Sequence, residues 1–186
     1  IWTNMTSTIG PLDELWYRLF AAVSRCNRAL ASLEKYGNSK LGATVTAQRI
    51  AEVKFLRAHF YYKLITVFRK VPWIDEKVFK NNAQEKTPND ALTYQQLYEK
   101  IIADFKTAYD VLPETQSERA RAHKIAAASY LAKCYLDLAW GDGYEQTTGV
   151  SHINPTDMQK VIDYTDAVVG SNYGYLEDYG DIFLPE

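Results

Sequence analysis

The chain has 186 residues, of which 47% are hydrophobic and 24% are charged, and its formal net charge is −2. Acidic and basic residues are interspersed along it, which argues against a nucleic-acid groove because such a groove needs a concentrated basic stripe. No run approaches the roughly 18 apolar residues of a membrane span, and a chain of this length can bury a single sizeable core.

The spacing of apolar residues predicts two long helices in the first part of the chain. The first runs from about Pro11 to Tyr36, with apolar residues at alternating intervals of three and four, and Gly37 ends it. The second runs from about Thr46 to Phe68, and Pro72 marks its exit because proline cannot continue a helix.

Three further helices are predicted in the second part. Thr93 and Gln96 form a capping-box pattern that opens the third helix, and Pro113 closes it. The fourth, from about His123 to Trp140, is rich in alanine, so neighbouring helices can approach it closely from more than one side. The fifth opens at Asn154, which is followed by a proline at the first helical position, and ends at Gly170.

The order and spacing of these helices predict the topology. Helix starts recur about every thirty to fifty residues and the loops are short, which is typical of stacked antiparallel helical hairpins. We therefore expect an all-α, tetratricopeptide-like fold of about five helices, with the first and second helices in one hairpin and the third and fourth in another. The Ala-rich fourth helix should be the most tightly enclosed.

Three polar residues are expected inside this core. On a helical wheel, Arg57 shares the apolar stripe of Val53 and Leu64. A buried guanidinium stays protonated and needs a carboxylate or several carbonyls as partners, and Asp104 on the flank of the third helix is a candidate. Asn27 lies on the stripe of the first helix, which predicts a buried amide bonded to a neighbouring backbone. All three are expected to serve structure rather than ligand contact.

The sequence contains no catalytic constellation. His59, His123 and His152 are widely spaced, without the paired histidines of a zinc-protease helix, and both a nucleophile elbow and a phosphate loop are missing. We therefore predict that the chain is not an enzyme and uses neither a metal nor a cofactor. Cys26 and Cys134 fall in predicted helices near apolar faces, so buried free thiols are expected, with a disulfide as the alternative.

Aromatic residues are the most promising group for binding, with 4 Trp, 14 Tyr and 7 Phe. Their flat apolar faces and hydrogen-bonding edges suit sugar rings and protein interfaces alike. Most lie on helical stripes and are expected in the core. The candidates for ligand contact are those outside helices or at a helix end, each with packing against a helix as the alternative: Trp2, Trp73, Trp140, Tyr144, Tyr173, Tyr175 and Tyr179.

The segment from Glu52 to Pro72 resembles a signature of the SusD/RagB family, the nutrient-binding surface lipoproteins of Bacteroidota. It matches at Glu52, Phe55, Leu56, Arg57, Ala58, Phe60, Tyr61, Val71 and Pro72. Four more segments resemble family motifs in the right order: Trp16, Tyr17 and Asn27; Tyr98, Ile101, Asp104, Ala108, Leu112 and Pro113; Arg121, Ala122, Lys124, Ala126 and Ala127; and Tyr173, Leu176, Tyr179, Asp181 and Phe183. Three positions depart from the pattern. Arg69 and Ala120 stand where the family usually has glycine, and His123 replaces a threonine.

The resemblance implies a non-enzymatic protein of polysaccharide utilisation that binds oligosaccharide at the outer-membrane surface. It would deliver the glycan to a SusC-type TonB-dependent transporter and be held to the membrane by a lipid anchor that this chain does not contain. Family glycan platforms draw partly on residues preceding the first long helix, which makes Trp2 and Asn4 site candidates, with Trp73 as a further edge. A helical-repeat interaction scaffold without its own glycan site is the alternative. Because family members are far longer, residues 1–186 are expected to be a single helical domain, the amino-terminal part of such a protein.

Overall fold

The computed structural model describes residues 10–81, 87–118, 120–141 and 153–174, together with residues 178 and 180. Five long helices occur in these ranges: α1 (Gly10–Ser32), α3 (Ala43–Phe68), α5 (Tyr94–Val111), α6 (Lys124–Trp140) and α7 (Pro155–Val169). Two short helices, α2 (Asn38–Leu41) and α4 (Glu76–Asn81), lie between them, and a π-helical turn at Leu33–Gly37 joins α1 to α2. No strand occurs among the described residues, which confirms the all-α prediction.

The expected capping residues stabilise two of the predicted helix starts, those of α5 and α7. The Thr93 hydroxyl accepts a hydrogen bond from the Gln96 amide at 3.2 Å, and the Gln96 side chain accepts one from the Thr93 amide at 2.9 Å. The Asn154 side chain accepts from the amides of Thr156 and Asp157 at the start of α7. These bonds satisfy amide groups that a helix start otherwise leaves without partners.

The first two long helices form an antiparallel hairpin, as predicted. Near the start of α1, the Trp16 ring meets the ring of Phe68 at the end of α3, with 5.0 Å between centroids. Further along α1, Asn27 contacts Arg57, which lies closer to the start of α3. The two helices therefore run in opposite directions, and α1 begins at the end of the array where α3 ends.

Each later helix packs antiparallel on the one before it. Side-chain contacts show the direction for α3 with α5 (Phe55 with Phe105, Tyr62 with Tyr98) and for α5 with α6 (Phe105 with Tyr130, Tyr98 with Asp137). For α6 with α7, the direction follows from the backbone hydrogen bond of the Asn154 amide to the Ala139 carbonyl and from the contact of Tyr135 with Tyr164. The result is a row of stacked hairpins. None of the helices in the described part of the chain has the length and apolar run that a membrane crossing requires.

The Ala-rich helix α6 does not stand out as expected. It lies between α5 and α7, and Ala127, Ala128 and Leu131 are fully buried. However, its solvent side exposes Leu136 and Trp140, and α5 buries seven residues where α6 buries six. The prediction that α6 is the most enclosed helix is therefore wrong, because α5 also lies between two neighbours and fills both contacts with larger side chains.

Both cysteines are buried free thiols, as expected. Burial raises the pKa of the Cys26 thiol to about 11 and also raises that of Cys134, so both thiols stay protonated at neutral pH. They pack as small apolar side chains.

Candidate functional site

The most densely bonded group of side chains surrounds Arg57, which is 4% exposed. Its Nε and Nη2 donate to the two carboxylate oxygens of Asp104 at 2.7 and 3.0 Å, a bidentate pairing. Its Nη1 donates to the Asn27 side-chain oxygen at 3.0 Å and to the Glu76 carboxylate. The predicted burial of Arg57 and its pairing with Asp104 are therefore confirmed. Glu76 adds a second carboxylate.

The same group holds the segment between α3 and α4. The Asn27 amide nitrogen donates to the Ile74 carbonyl at 2.7 Å, which confirms the expected backbone bond. The Tyr61 hydroxyl donates to that carbonyl at 3.1 Å and accepts from the Ile74 amide at 2.7 Å. We call Asn27, Arg57, Tyr61, Ile74, Glu76 and Asp104 the Arg57 cluster. It joins α1, α3, α4 and α5 in one place.

The charges in the Arg57 cluster compensate one another. Burial raises the pKa of Asp104, while the hydrogen bonds from Arg57 oppose that rise. Burial also acts to raise the pKa of Glu76, but the Arg57 guanidinium outweighs it and holds that pKa below its ordinary value. Burial acts to lower the pKa of Arg57, but the two carboxylates outweigh it and raise that pKa. With its donors and acceptors used internally, the arrangement suits a fixed joint between helices rather than a ligand contact.

Trp73 lies beside this cluster and is 8% exposed. Its ring stacks on Tyr61 with 4.2 Å between centroids, and the Arg57 guanidinium carbon lies 5.5 Å from the Trp73 ring centroid. Lys100 approaches the same ring at 5.7 Å. In this position the ring packs between neighbours, so its predicted contribution to ligand binding gains no support from the structure.

Of the other aromatic candidates, two are exposed in the structure and the rest lie outside the described residues. Trp140 is 45% exposed at the end of α6. Tyr173 is also exposed, and its ring stacks on His123 at 4.8 Å between centroids. Trp2 and Asn4 lie outside the described residues. The same holds for three of the tyrosines: Tyr144, Tyr175 and Tyr179.

Two adjoining clefts open where α3 and α6 end and α5 and α7 begin. One, of about 690 Å³, lies between α5 and α7 over α6 and is lined by Glu99, Tyr135 and Asp157, among others. The other, of about 650 Å³, is lined by Arg69 and by residues preceding α5. Tyr94 belongs to both. Sequence reasoning did not find them, because the residues that meet there come from four helices.

The lining of the two clefts combines apolar and polar side chains. The clefts have aromatic and aliphatic walls together with carboxylates, two side-chain amides and cationic side chains, which suits a polar ligand with apolar faces. Within the described residues, no group of three or more His, Cys, Asp or Glu side chains is placed to hold a metal ion.

Comparison with known proteins gives the family. A family model described as starch-binding and associating with the outer membrane, of SusD-like type, matches residues 1–136. SusD-like protein P2 of Formosa agariphila is 33% identical over 130 residues, covering 68% of this chain and 24% of that protein. The starch-binding protein SusD of Bacteroides thetaiotaomicron is 29% identical over 143 residues, covering 76% of this chain and 22% of that protein. The matched segments thus cover about a quarter of the length of these relatives.

Solved structures share the helical array. A crystal structure with xylogluco-oligosaccharide matches with a TM-score of 0.80 at 24% identity, covering 96% of this chain and 34% of the other. Surface glycan-binding protein A from Bacteroides thetaiotaomicron, in complex with laminarihexaose, matches with a TM-score of 0.68 at 21% identity, covering 91% and 32%. At these identities the structures establish a common fold. Together with the family model, they confirm the resemblance found in the sequence, and the chain belongs to the SusD-like family.

Proposed function

We propose that this chain is the amino-terminal helical part of a longer, non-enzymatic protein that captures oligosaccharide at the cell surface. The protein would deliver the glycan to a SusC-type TonB-dependent transporter in the outer membrane, where a lipid anchor holds it. Support comes from the family match, from relatives described as starch- or glycan-binding, and from their three- to fourfold greater length. Binding would proceed by stacking and hydrogen bonding, with no bond made or broken.

The observation that carries this proposal is the burial of aromatic side chains between the helices. Tyr61, Tyr98 and Phe105 are fully buried, and Phe55 is nearly so. The helices therefore use much of their aromatic surface on packing. This favours a division of labour in which the helical array supplies support and a transporter-facing surface, and other segments supply most of the glycan platform.

Trp2 and Asn4 remain the proposed contributions of this chain to that platform. They precede α1, which begins at the same end of the array as the two clefts. One aromatic stacked on one sugar ring contributes too little to hold a glycan, because association alone loses about 4 kcal/mol or more. The rest of the longer protein would have to complete the site.

Isothermal titration with a panel of oligosaccharides tests this division of labour. The full-length protein should bind at least one glycan measurably, while residues 1–186 alone should bind the same glycan with a dissociation constant in the millimolar range or weaker. Co-purification of the transporter with the full-length protein checks the proposed partner. Micromolar binding by residues 1–186 would show that the site is complete here and that the division of labour is wrong.

An interaction scaffold without its own glycan site is the second candidate. Several large apolar side chains face solvent on the array, including Leu56 and Val67 on α3, which is common at protein interfaces. Under this alternative, the full-length protein forms the transporter complex but binds no saccharide in the same titrations. Glycan binding together with an intact complex favours the capture protein.

A further inference from the structure

A strained turn follows α3. Arg69 has φ 59° and ψ −60°, and across it the Lys70 amide donates to the Phe68 carbonyl at 2.7 Å. This is a γ-turn of the rare form, and Arg69 is the one non-glycine residue with positive φ among the described residues. A side chain at Cβ makes this conformation unfavourable, whereas glycine adopts it readily. The chain thus keeps an arginine where the backbone favours the glycine that the related family motif usually has.

The turn aims the Arg69 side chain at one of the two clefts. Its guanidinium carbon lies 5.2 Å from the centroid of the Tyr94 ring, within the range of a cation–π contact. Arg69 and Lys70 line the 650 Å³ cleft from the turn, and Asp90 and Thr93 line it from the segment before α5. We call this the Arg69 cleft. Its volume is within the range usual for small-molecule sites.

The lining of the Arg69 cleft determines the kind of ligand that fits. Phe68, Leu92 and Tyr94 supply apolar surface of the kind that covers the C–H face of a sugar ring. Asp90 can accept hydrogen bonds from hydroxyl groups. Among the described lining residues, two cations at consecutive positions stand beside one carboxylate, and a guanidinium pairs with a ligand carboxylate through two parallel hydrogen bonds.

Location links this cleft to glycan capture. Phe68 lines the cleft and also contacts Trp16 in the first turns of α1, so the cleft lies at the end of the array where α1 begins. We propose that the Arg69 cleft is a subsite for an acidic sugar, a uronic acid residue whose carboxylate pairs with Arg69 and Lys70. This inference rests on the proposed glycan-binding function and specifies the class of glycan.

The test compares acidic with neutral ligands on the full-length protein. Oligomers of galacturonic and glucuronic acid are titrated beside oligomers of galactose and glucose of the same length and linkage, at low and at high salt. The acidic oligomers should bind at least tenfold more tightly, and this preference should shrink as salt screens the charges. Equal or weaker binding of the acidic oligomers overturns the inference and leaves the proposed function intact. If no saccharide binds at all, the proposed function fails as well.

The variant Arg69→Gly separates binding from folding. It removes the guanidinium and gives the turn the residue that its backbone favours, so the preference for acidic oligomers should fall at least tenfold while circular dichroism still shows the helical fold. Lys70→Gln should lower the preference by a smaller factor. Arg28→Gln, which removes an exposed cation of α1, should leave it unchanged. An unaltered preference in Arg69→Gly, or an equal loss in Arg28→Gln, contradicts the subsite.

Discussion

The two ends of the row of helices are held by different interactions. At one end, the Arg57 cluster ties α1, α3, α4 and α5 through charge-assisted hydrogen bonds among buried groups. At the other end, α7 has no buried residue, and its contacts include the ring of Tyr164 against Tyr109 and Tyr135 at 5.4 and 5.8 Å. The comparison separates a region held by buried charged groups from one held by partly exposed side chains.

The difference follows from what a buried charge requires. The Asp104 carboxylate is 4% exposed, so losing Arg57 leaves a buried charge without its hydrogen-bonded partner. The side chains of α7 keep contact with water, and Val169 is 75% exposed. Changes there remove little burial. Substitutions should therefore have graded effects along the row, and four of them test this.

The largest effect is expected for Arg57→Leu. The substitution leaves the carboxylates of Asp104 and Glu76 without their main partner and should lower the free energy of unfolding by about 3–5 kcal/mol. Urea denaturation followed by circular dichroism measures this loss. The matched control is Arg49→Leu, because Arg49 pairs with Glu52 while its side chain remains 38% exposed. That control should cost about 1 kcal/mol or less. Similar losses for the two variants would mean that the Arg57 cluster is not a fixed joint.

Trp73→Ala should have the next largest effect. It removes the ring stacked on Tyr61 beside the Arg57 cluster and should cost about 3 kcal/mol, as expected for truncating a buried tryptophan. Trp140→Ala, at an exposed position, should cost well under about 1 kcal/mol in the same experiment. If Trp73→Ala leaves stability unchanged but weakens glycan binding, the ring serves the ligand and its packing role is wrong.

A smaller effect is expected on the stability of the protein at acidic pH. It depends on the Glu52 carboxylate, which accepts hydrogen bonds from Arg49 and Gln116. Burial acts to raise the pKa of Glu52, but these hydrogen bonds hold it below the ordinary 4.5. A lowered folded-state pKa means that the stabilisation is complete above about pH 4.5 and is lost as the pH falls through the folded value. Unfolding measured between pH 6 and pH 3 should show Glu52→Gln losing less stability than the parent, by about 1 kcal/mol. Identical pH profiles would exclude a contribution from Glu52.

The smallest effect is expected in α7. Val169→Asp should lower the free energy of unfolding by about 1 kcal/mol or less, because the side chain is mostly in water and a carboxylate at the last residue of a helix is only mildly unfavourable. Leu131→Ala in the adjoining α6, where the side chain is fully buried, should cost about 2–5 kcal/mol. Both are measured by urea denaturation of residues 1–186. A loss above about 2 kcal/mol for Val169→Asp would show that α7 is held as firmly as the rest of the row.

Much of the fold was predictable because its signals are local. Apolar spacing located the five long helices, and the caps at Thr93 and Asn154 marked two of their starts. The burial of Arg57 followed from its place on an apolar stripe, since a helix fixes which side chains share a face. Asp104 could be suggested as its partner because it lies on the flank of a neighbouring helix.

Other features were decided by tertiary structure alone. Glu76 enters the Arg57 cluster from α4, a helix of six residues that carries too little periodicity to predict. Trp73 lies in a loop of the sequence but packs in the core, because the Tyr61 hydroxyl holds Ile74 against α3. Periodicity shows which face of a helix is apolar. It does not show what a neighbouring segment places against that face, since such contacts depend on where distant parts of the chain meet.

The same distinction applies to Arg69. The sequence shows only an arginine where the related motif usually has glycine. The positive φ, the guanidinium over Tyr94 and the cleft they share arise because α3 ends beside the start of α5. The pattern of apolar residues thus determined the helices and the position of Arg57 within them. The packing of those helices determined which loop residues face a cavity, because a cavity is bounded by segments that no local pattern relates.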